Sequence, residues 1–218
     1  MQRKRSLLAI AFIPLVFGAA PSGELWRFDR LDEIGGHKTS LVGHPRLIET
    51  PAGKAVEFNG IDDAIFLDVH PLAGAEQFTW EVIFRPDLGG APEQRFFHLQ
   101  EAGTDNRMLF EIRVIGDQWC LDSYAKTGAD DLALLDRAKL HPLGAWYHAA
   151  AVYDGHEFRN YVDGVLQGSG PLHMQRPQNA GGTSVGVRFN KVNYFKGAVI
   201  AARMTPRALD PREFLKKP

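Results

Sequence analysis

The chain has 218 residues, 44% of them hydrophobic and 11% aromatic, with 25 Lys and Arg against 26 Asp and Glu and a formal net charge of −1. So even a balance gives no electrostatic footing for nucleic acid or an anionic membrane surface, both of which call for a basic excess. The single cysteine, Cys120, excludes an internal disulfide, and the fold must rest on a buried core.

In chain order, Met1-Gln2-Arg3-Lys4-Arg5 supplies a cationic start, Leu7 to Phe17 is apolar apart from Pro14, and Gly18-Ala19-Ala20 is small. Basic, apolar and small residues in that order predict a cleavable secretory signal. The apolar run falls short of the roughly 20 residues a membrane helix needs. An uncleaved anchor is the alternative. Residues 1–22 are expected to be removed, leaving residues 23–218 as one secreted or periplasmic domain. Cys120 lies too far from the signal to carry a lipid.

Beyond the signal, apolar residues recur with period two, and helix-period stretches are scarce. Phe78 to Arg85 alternates and stops at Pro86, as a strand does. Arg95 to Glu101 and Arg107 to Ile115 follow, joined by the turn-rich Ala102-Gly103-Thr104-Asp105-Asn106, and Trp119 to Tyr124 comes next. Trp146 to Tyr153 runs into Asp154-Gly155, Phe158 to Val162 returns, and Asp163-Gly164 turns the chain into Val165 to Gln167. Both Asp-Gly pairs suit tight hairpins. Thr183 to Asn190 alternates strictly and predicts a further strand, with Arg188 and Asn190 on its polar side. Asp210-Pro211 predicts one capped helical turn. Short strands separated by Gly, Pro, Asp and Asn define an all-β sandwich or barrel.

Several of these segments carry a family pattern. Leu25-Trp26-Arg27-Phe28-Asp29, Gly53-Lys54-Ala55-Val56-Glu57-Phe58-Asn59-Gly60-Ile61-Asp62-Asp63 and Phe78 to Pro86 resemble, in order, three strand signatures of laminin G-like domains. Gly144 to Gly155 with Tyr161-Val162-Asp163-Gly164-Val165 resembles the long signature that follows them. Phe195-Lys196-Gly197 through Arg203, with Arg207-Ala208-Leu209, resembles the closing strand and tail. The chain is thus similar to the laminin G-like branch of the concanavalin A-like lectin/glucanase superfamily. The resemblance implies a two-sheet antiparallel β-sandwich of jelly-roll type, with Trp26, Trp80, Trp146, Phe58 and Val162 in the core.

It also implies functions to test against the residues. Many relatives hold calcium between the first and last strands. Here Ile200 stands where an acidic ligand is usual, leaving Asp29, Asp62 and Asp63 as candidate metal ligands. No cofactor is otherwise expected, and Asp62-Asp63 also reads as a self-bonded turn. Zinc lacks a close ligand pair. Glucanases of this fold place paired carboxylates along one strand, ~5–5.5 Å apart in retaining enzymes. That motif is missing, since Glu111-Ile112-Arg113 has one acid and Glu81 has no partner two residues away.

Polar residues spaced by two do recur on neighbouring strands: His98 and Gln100, Glu111 and Arg113, Asp122 and Tyr124, Arg188 and Asn190. They are either a wetted sheet face or a platform for a saccharide, with Trp119 and Tyr194 as stacking candidates. His148 and Cys120 are expected to be packing residues. Three functions remain open: a recognition domain for a polysaccharide or glycan, a hydrolase or lyase working on the polar face, and a protein-interaction domain. Nucleic acid is not an expected partner.

Overall fold

Strands form wherever β-branched and aromatic residues recur at every second position, and glycine or Asx residues end them. The structure, a computed structural model, describes residues 23–218; the expected signal segment lies outside the described residues. In chain order the strands begin β1 (Glu24–Arg27), β2 (Glu33–Ile34), β3 (His37–Val42), β4 (Arg46–Thr50), β5 (Gly53–Asn59), β6 (Ala64–Leu67) and β7 (Phe78–Pro86). Then come β8 (Glu93–Glu101), β9 (Arg107–Ile115), β10 (Gln118–Thr127), β11 (Asp130–Leu135) and β12 (His141–Pro142). The last are β13 (Tyr147–Tyr153), β14 (Glu157–Val162), β15 (Val165–Pro171), β16 (Gly181–Val185) and β17 (Lys196–Thr205).

They form two antiparallel sheets. An eight-stranded sheet runs β15-β14-β13-β7-β17-β5-β4, with β1 added on β17. A nine-stranded sheet runs β11-β10-β9-β8-β16-β6-β3-β2, with β12 added on β10. The expected jelly-roll sandwich is the fold observed.

The two inner faces interlock through aromatic rings. Phe84 of β7 stacks on Phe96 of β8 at 4.1 Å, Phe96 stacks on Phe110 of β9 at 5.5 Å, and Trp80 of β7 meets Phe110 at 4.1 Å. Such pairs contribute about 0.5–1.5 kcal/mol beyond the area they bury. Trp26, Phe58, Trp80 and Val162 join this core as expected. Trp119, a proposed stacking surface, is fully buried here too, against Phe84 and Tyr147. Trp146 lies elsewhere: it packs on the outer side of the eight-stranded sheet beside Ile83 and Ile200, under the Arg85 guanidinium.

Polar bonds join what apolar contact does not. Asn160 of β14 is fully buried and donates from Nδ2 to Ser123 Oγ of β10 and to the Leu134 carbonyl of β11, each at 3.1 Å. It ties one sheet to the other. Asp163-Gly164 turns with both residues at positive φ, 50° and 77°, as a two-residue hairpin requires. The Asp154 loop is longer, its carboxylate accepting from the His156 and Glu157 N–H groups.

The tail closes the outer side of the eight-stranded sheet. Asp210 caps the short 3₁₀ turn Pro211–Glu213, and Phe214 then packs on Tyr161 and on the His148 ring. Beneath it Glu81, fully buried, accepts from His148 Nε2 (3.0 Å), Arg203 Nε (2.5 Å) and the Leu215 N–H (2.7 Å). Burial pushes the Glu81 carboxyl up, but these bonds outweigh it and hold the group below its usual range.

Candidate functional site

Alternation decides what the nine-stranded sheet shows to solvent. In β9 Met108, Phe110 and Ile112 enter the core, so Arg107, Leu109, Glu111 and Arg113 project from the opposite face. In β10 Trp119, Leu121 and Ala125 turn inward, and Cys120, Asp122 and Tyr124 outward. Register sets Asp122 opposite Glu111, Tyr124 opposite Leu109, and Leu109 in turn opposite His98. In β8 a register shift between Arg95 and Phe97 sends both Phe96 and Phe97 into the core, which keeps Arg95 outward, opposite Glu111.

The result is an ion-pair network laid across three strands. Arg113 Nη2 donates to Glu111 Oε2 at 3.0 Å and to Asp122 Oδ2 at 2.5 Å. Arg95 Nη2 lies 3.1 Å from Glu111 Oε2, and the half-exposed Glu93 reaches both guanidiniums. Burial raises the Glu111 carboxyl above its usual range, against the pull of Arg95. Arg107 lies over the Tyr124 ring, 5.1 Å from its centroid, and pairs with the exposed Asp105. Arg188 closes the group over a depression of about 290 Å³ whose walls include Arg95, Arg107, Glu111, Arg113 and Tyr124. Arg95, Arg107 and Arg113 form ion pairs, and Arg188 forms none among the described residues. Buried Nε atoms of Arg95 and Arg107, and Oδ1 of Asp122, have no hydrogen-bond partner among the described residues.

Beside it lies a larger depression of about 490 Å³, lined by Phe66, Asp68, Gln100, Gly182, Ser40 and Phe189. Phe66 and Phe189 meet edge-to-face at 5.6 Å. Phe189 reaches this position through the segment 186–195, which contradicts the expectation of a strand from Thr183 to Asn190. The strand ends at Val185, because Gly186 takes a φ of 87° and donates its N–H to the Phe96 carbonyl. The segment then folds back over the sheet, with the Asn193 carbonyl accepting from the Arg95 N–H at the β8 irregularity. The Phe189 ring crosses β16 where the side chain is only hydrogen: a Cβ on Gly182 would lie 2.8 Å from its Cζ.

The structure therefore brings Glu111, Arg113, Tyr124 and Arg188 into one depression and sets Gln100 in the next. His98 is a correction. It is fully buried, its ring 5.0 Å from Phe189, with Nδ1 accepting from the Phe189 N–H at 3.1 Å. Burial, and then the positive charges of Arg188, Arg107 and Arg95, push its pKa down to about 3. Asn190 is exposed in the turn that follows and lines neither depression. Sequence reasoning missed Arg95, because the bulge moves it out of phase, and Phe66 and Phe189, because alternation assigns aromatic rings to the core.

The candidate metal ligands do not converge. Asp63 commits Oδ1 to the His44 N–H and Oδ2 to the Asn59 N–H, Asp62 accepts from Asn59 Nδ2, and Asp29 is exposed beyond β1. Among the described residues no group of three or more His, Cys, Asp and Glu is placed to hold a metal ion. Cys120 is buried, which raises its thiol pKa, and His148 is committed to Glu81.

Two antiparallel sheets packed in this order define a jelly-roll domain of the lectin-like kind. The Laminin_G_3 family, described as the concanavalin A-like lectin/glucanases superfamily, matches residues 59–214, and the chain belongs to it. Comparison with curated proteins gives no match. Among solved structures, domain 4 of AbnA, a GH43 extracellular arabinanase from Geobacillus stearothermophilus, in complex with arabinotriose, is similar with a TM-score of 0.67 and 19% identity, covering 88% of this chain and 97% of that one. The receptor binding domain of botulinum neurotoxin D gives a TM-score of 0.65 at 10% identity, over 88% of this chain and 51% of that one. A botulinum neurotoxin type C structure, described as dependent for cell entry upon interaction with two ganglioside molecules, gives 0.62 at 9%, over 88% and 49%. At these identities the likeness is one of fold.

Proposed function

We propose that this chain is an exported glycan-recognition domain, and that the outer face of its nine-stranded sheet holds the saccharide. The observation that carries the reading is the Phe66–Phe189 pair, half-buried in a depression among Ser40, Asp68 and Gln100. Sugars present an apolar ring face bordered by hydroxyls, and an aromatic surface flanked by hydroxyl, amide and carboxylate groups complements both. Arabinotriose bound to a similarly folded arabinanase domain supports the same class of ligand. Export rests on the basic, apolar and small residues that open the sequence.

Hydrolysis on this face fits less well. Glu111 and Asp122 are cross-strand neighbours and burial raises the Glu111 carboxyl, yet the Arg113 guanidinium donates to both and occupies the space between them. A glycosidic bond needs that space for itself.

The reading is tested by presenting the purified chain to a glycan array and repeating the measurement with Phe189→Ala. Binding that falls at least about tenfold in the variant, at unchanged melting temperature, is the expected result. Failure of the unmodified chain to retain any glycan overturns it.

A further inference from the structure

Building on the glycan reading, we propose that the Arg188 depression is a subsite for an anionic sugar substituent, the carboxylate of a uronate.

Four arginines, Arg95, Arg107, Arg113 and Arg188, and two carboxylates, Glu111 and Asp122, line the depression. Arg95 and Arg113 pair with Glu111 and Asp122, all nine-tenths buried or nearly so, and the half-exposed Glu93 reaches both guanidiniums from outside the lining. Arg107 lies over the Tyr124 ring, and Arg188 lines the same depression. The acidic group available there, Asp105, is mostly exposed and is shared between Arg107 and Lys126. The lining therefore holds more cations than carboxylates, and Arg188 is the arginine without an ion pair among the described residues. Burial first, and then the charges of Arg188, Arg107 and Arg95, keep the nearby His98 ring neutral. Nε of Arg95 and Nε of Arg107, both in the lining, are buried without a partner among the described residues.

Donors in this region thus outnumber acceptors. A neutral sugar brings hydroxyls that both give and take. A carboxylate brings acceptor oxygens alone, in the planar geometry that a guanidinium fork matches. Asp122 Oδ1, an acceptor without a donor, suits a hydroxyl on the same sugar. Arg188 and Phe189 are consecutive, so the acidic group and the stacked ring belong to neighbouring positions of one glycan chain.

The test is calorimetric titration of the purified full chain with an oligogalacturonate, with the carboxyl-reduced oligosaccharide prepared from it, and with a sulfated neutral oligosaccharide, at low and high salt. The acidic ligand is expected to bind at least about tenfold more tightly than its reduced counterpart, with a preference that shrinks as salt screens it. Arg188→Ala is expected to abolish the preference while leaving the weaker affinity for the reduced sugar. Arg188→Lys should retain part of it. Phe189→Ala should weaken both ligands alike. Equal affinity for both ligands, or a preference that survives in Arg188→Ala, overturns the uronate subsite and leaves glycan recognition standing. Tighter binding of the sulfated sugar overturns the carboxylate assignment. Absence of binding to any saccharide overturns both readings.

Discussion

Phe189 meets the His98 ring edge-on at 5.0 Å while its own backbone N–H donates to His98 Nδ1 at 3.1 Å. One buried imidazole therefore fixes the segment that carries both Arg188 and Phe189. It does so only in its neutral form, because protonation removes the acceptor.

That dependence gives a pH prediction. His98 and His70 are both buried, with pKa values pushed down to about 3 and about 4. For a depressed histidine the unfolded chain takes the proton first, at about pH 6.5, and stability then falls until the folded form also titrates. Unfolding free energy should accordingly decline between about pH 6.5 and 4, by at most about 1.4 kcal/mol per pH unit for each histidine. Denaturant melts across this range check it. His98→Asn, which keeps an acceptor near the Nδ1 position without a titrating proton, should flatten the slope.

Gly182→Ala should separate binding from folding. The added methyl meets the Phe189 ring at 2.8 Å, and a ring at the end of a side chain yields more readily than backbone. Glycan affinity is expected to drop about tenfold while stability changes by no more than about 1 kcal/mol, read by titration and by thermal melts.

Glu81→Ala should be severe. It leaves His148 and Arg203 without their carboxylate and the Leu215 N–H without its acceptor, around a fully buried position. A loss of about 3–5 kcal/mol is expected in chemical denaturation. Because the Glu81 carboxyl is held below its usual range, its contribution is complete above the ordinary carboxylate pKa and is lost as pH falls through the lowered one.

Asn160→Ala tests the bridge between the sheets. Ser123 and the Leu134 carbonyl lose their common donor, and about 1–3 kcal/mol should go with it. A variant as stable as the parent would show that aromatic packing alone holds the sheets together.

Much of the framework is legible in the sequence. Arg107–Ile115 is a strand with the bounds its alternation predicts, and Phe78–Pro86 runs one residue beyond the expected Arg85, because each has one face in the core. Exposed strands such as β3 and the edge strand β4 gave no such contrast, having little apolar surface to bury. Thr183 to Asn190 alternates as a strand does and leaves the sheet at Gly186, since the backbone there takes a turn that its side chains do not advertise. The candidate site was half visible for the same reason. Arg113, Glu111 and Tyr124 follow from register-true alternation, while Arg95 depends on a bulge and Phe66 and Phe189 on a segment that crosses the sheet.

The tail has a further consequence. Phe214 and Leu215 lie on the outer side of the eight-stranded sheet, pinned through Glu81 and His148. A molecule tethered to a surface through its last residues rests on that side and turns Arg188 and Phe189 toward the solvent. C-terminal attachment is thus the orientation in which immobilised protein keeps its open face clear, and any sensor or affinity matrix made from it should be built that way round.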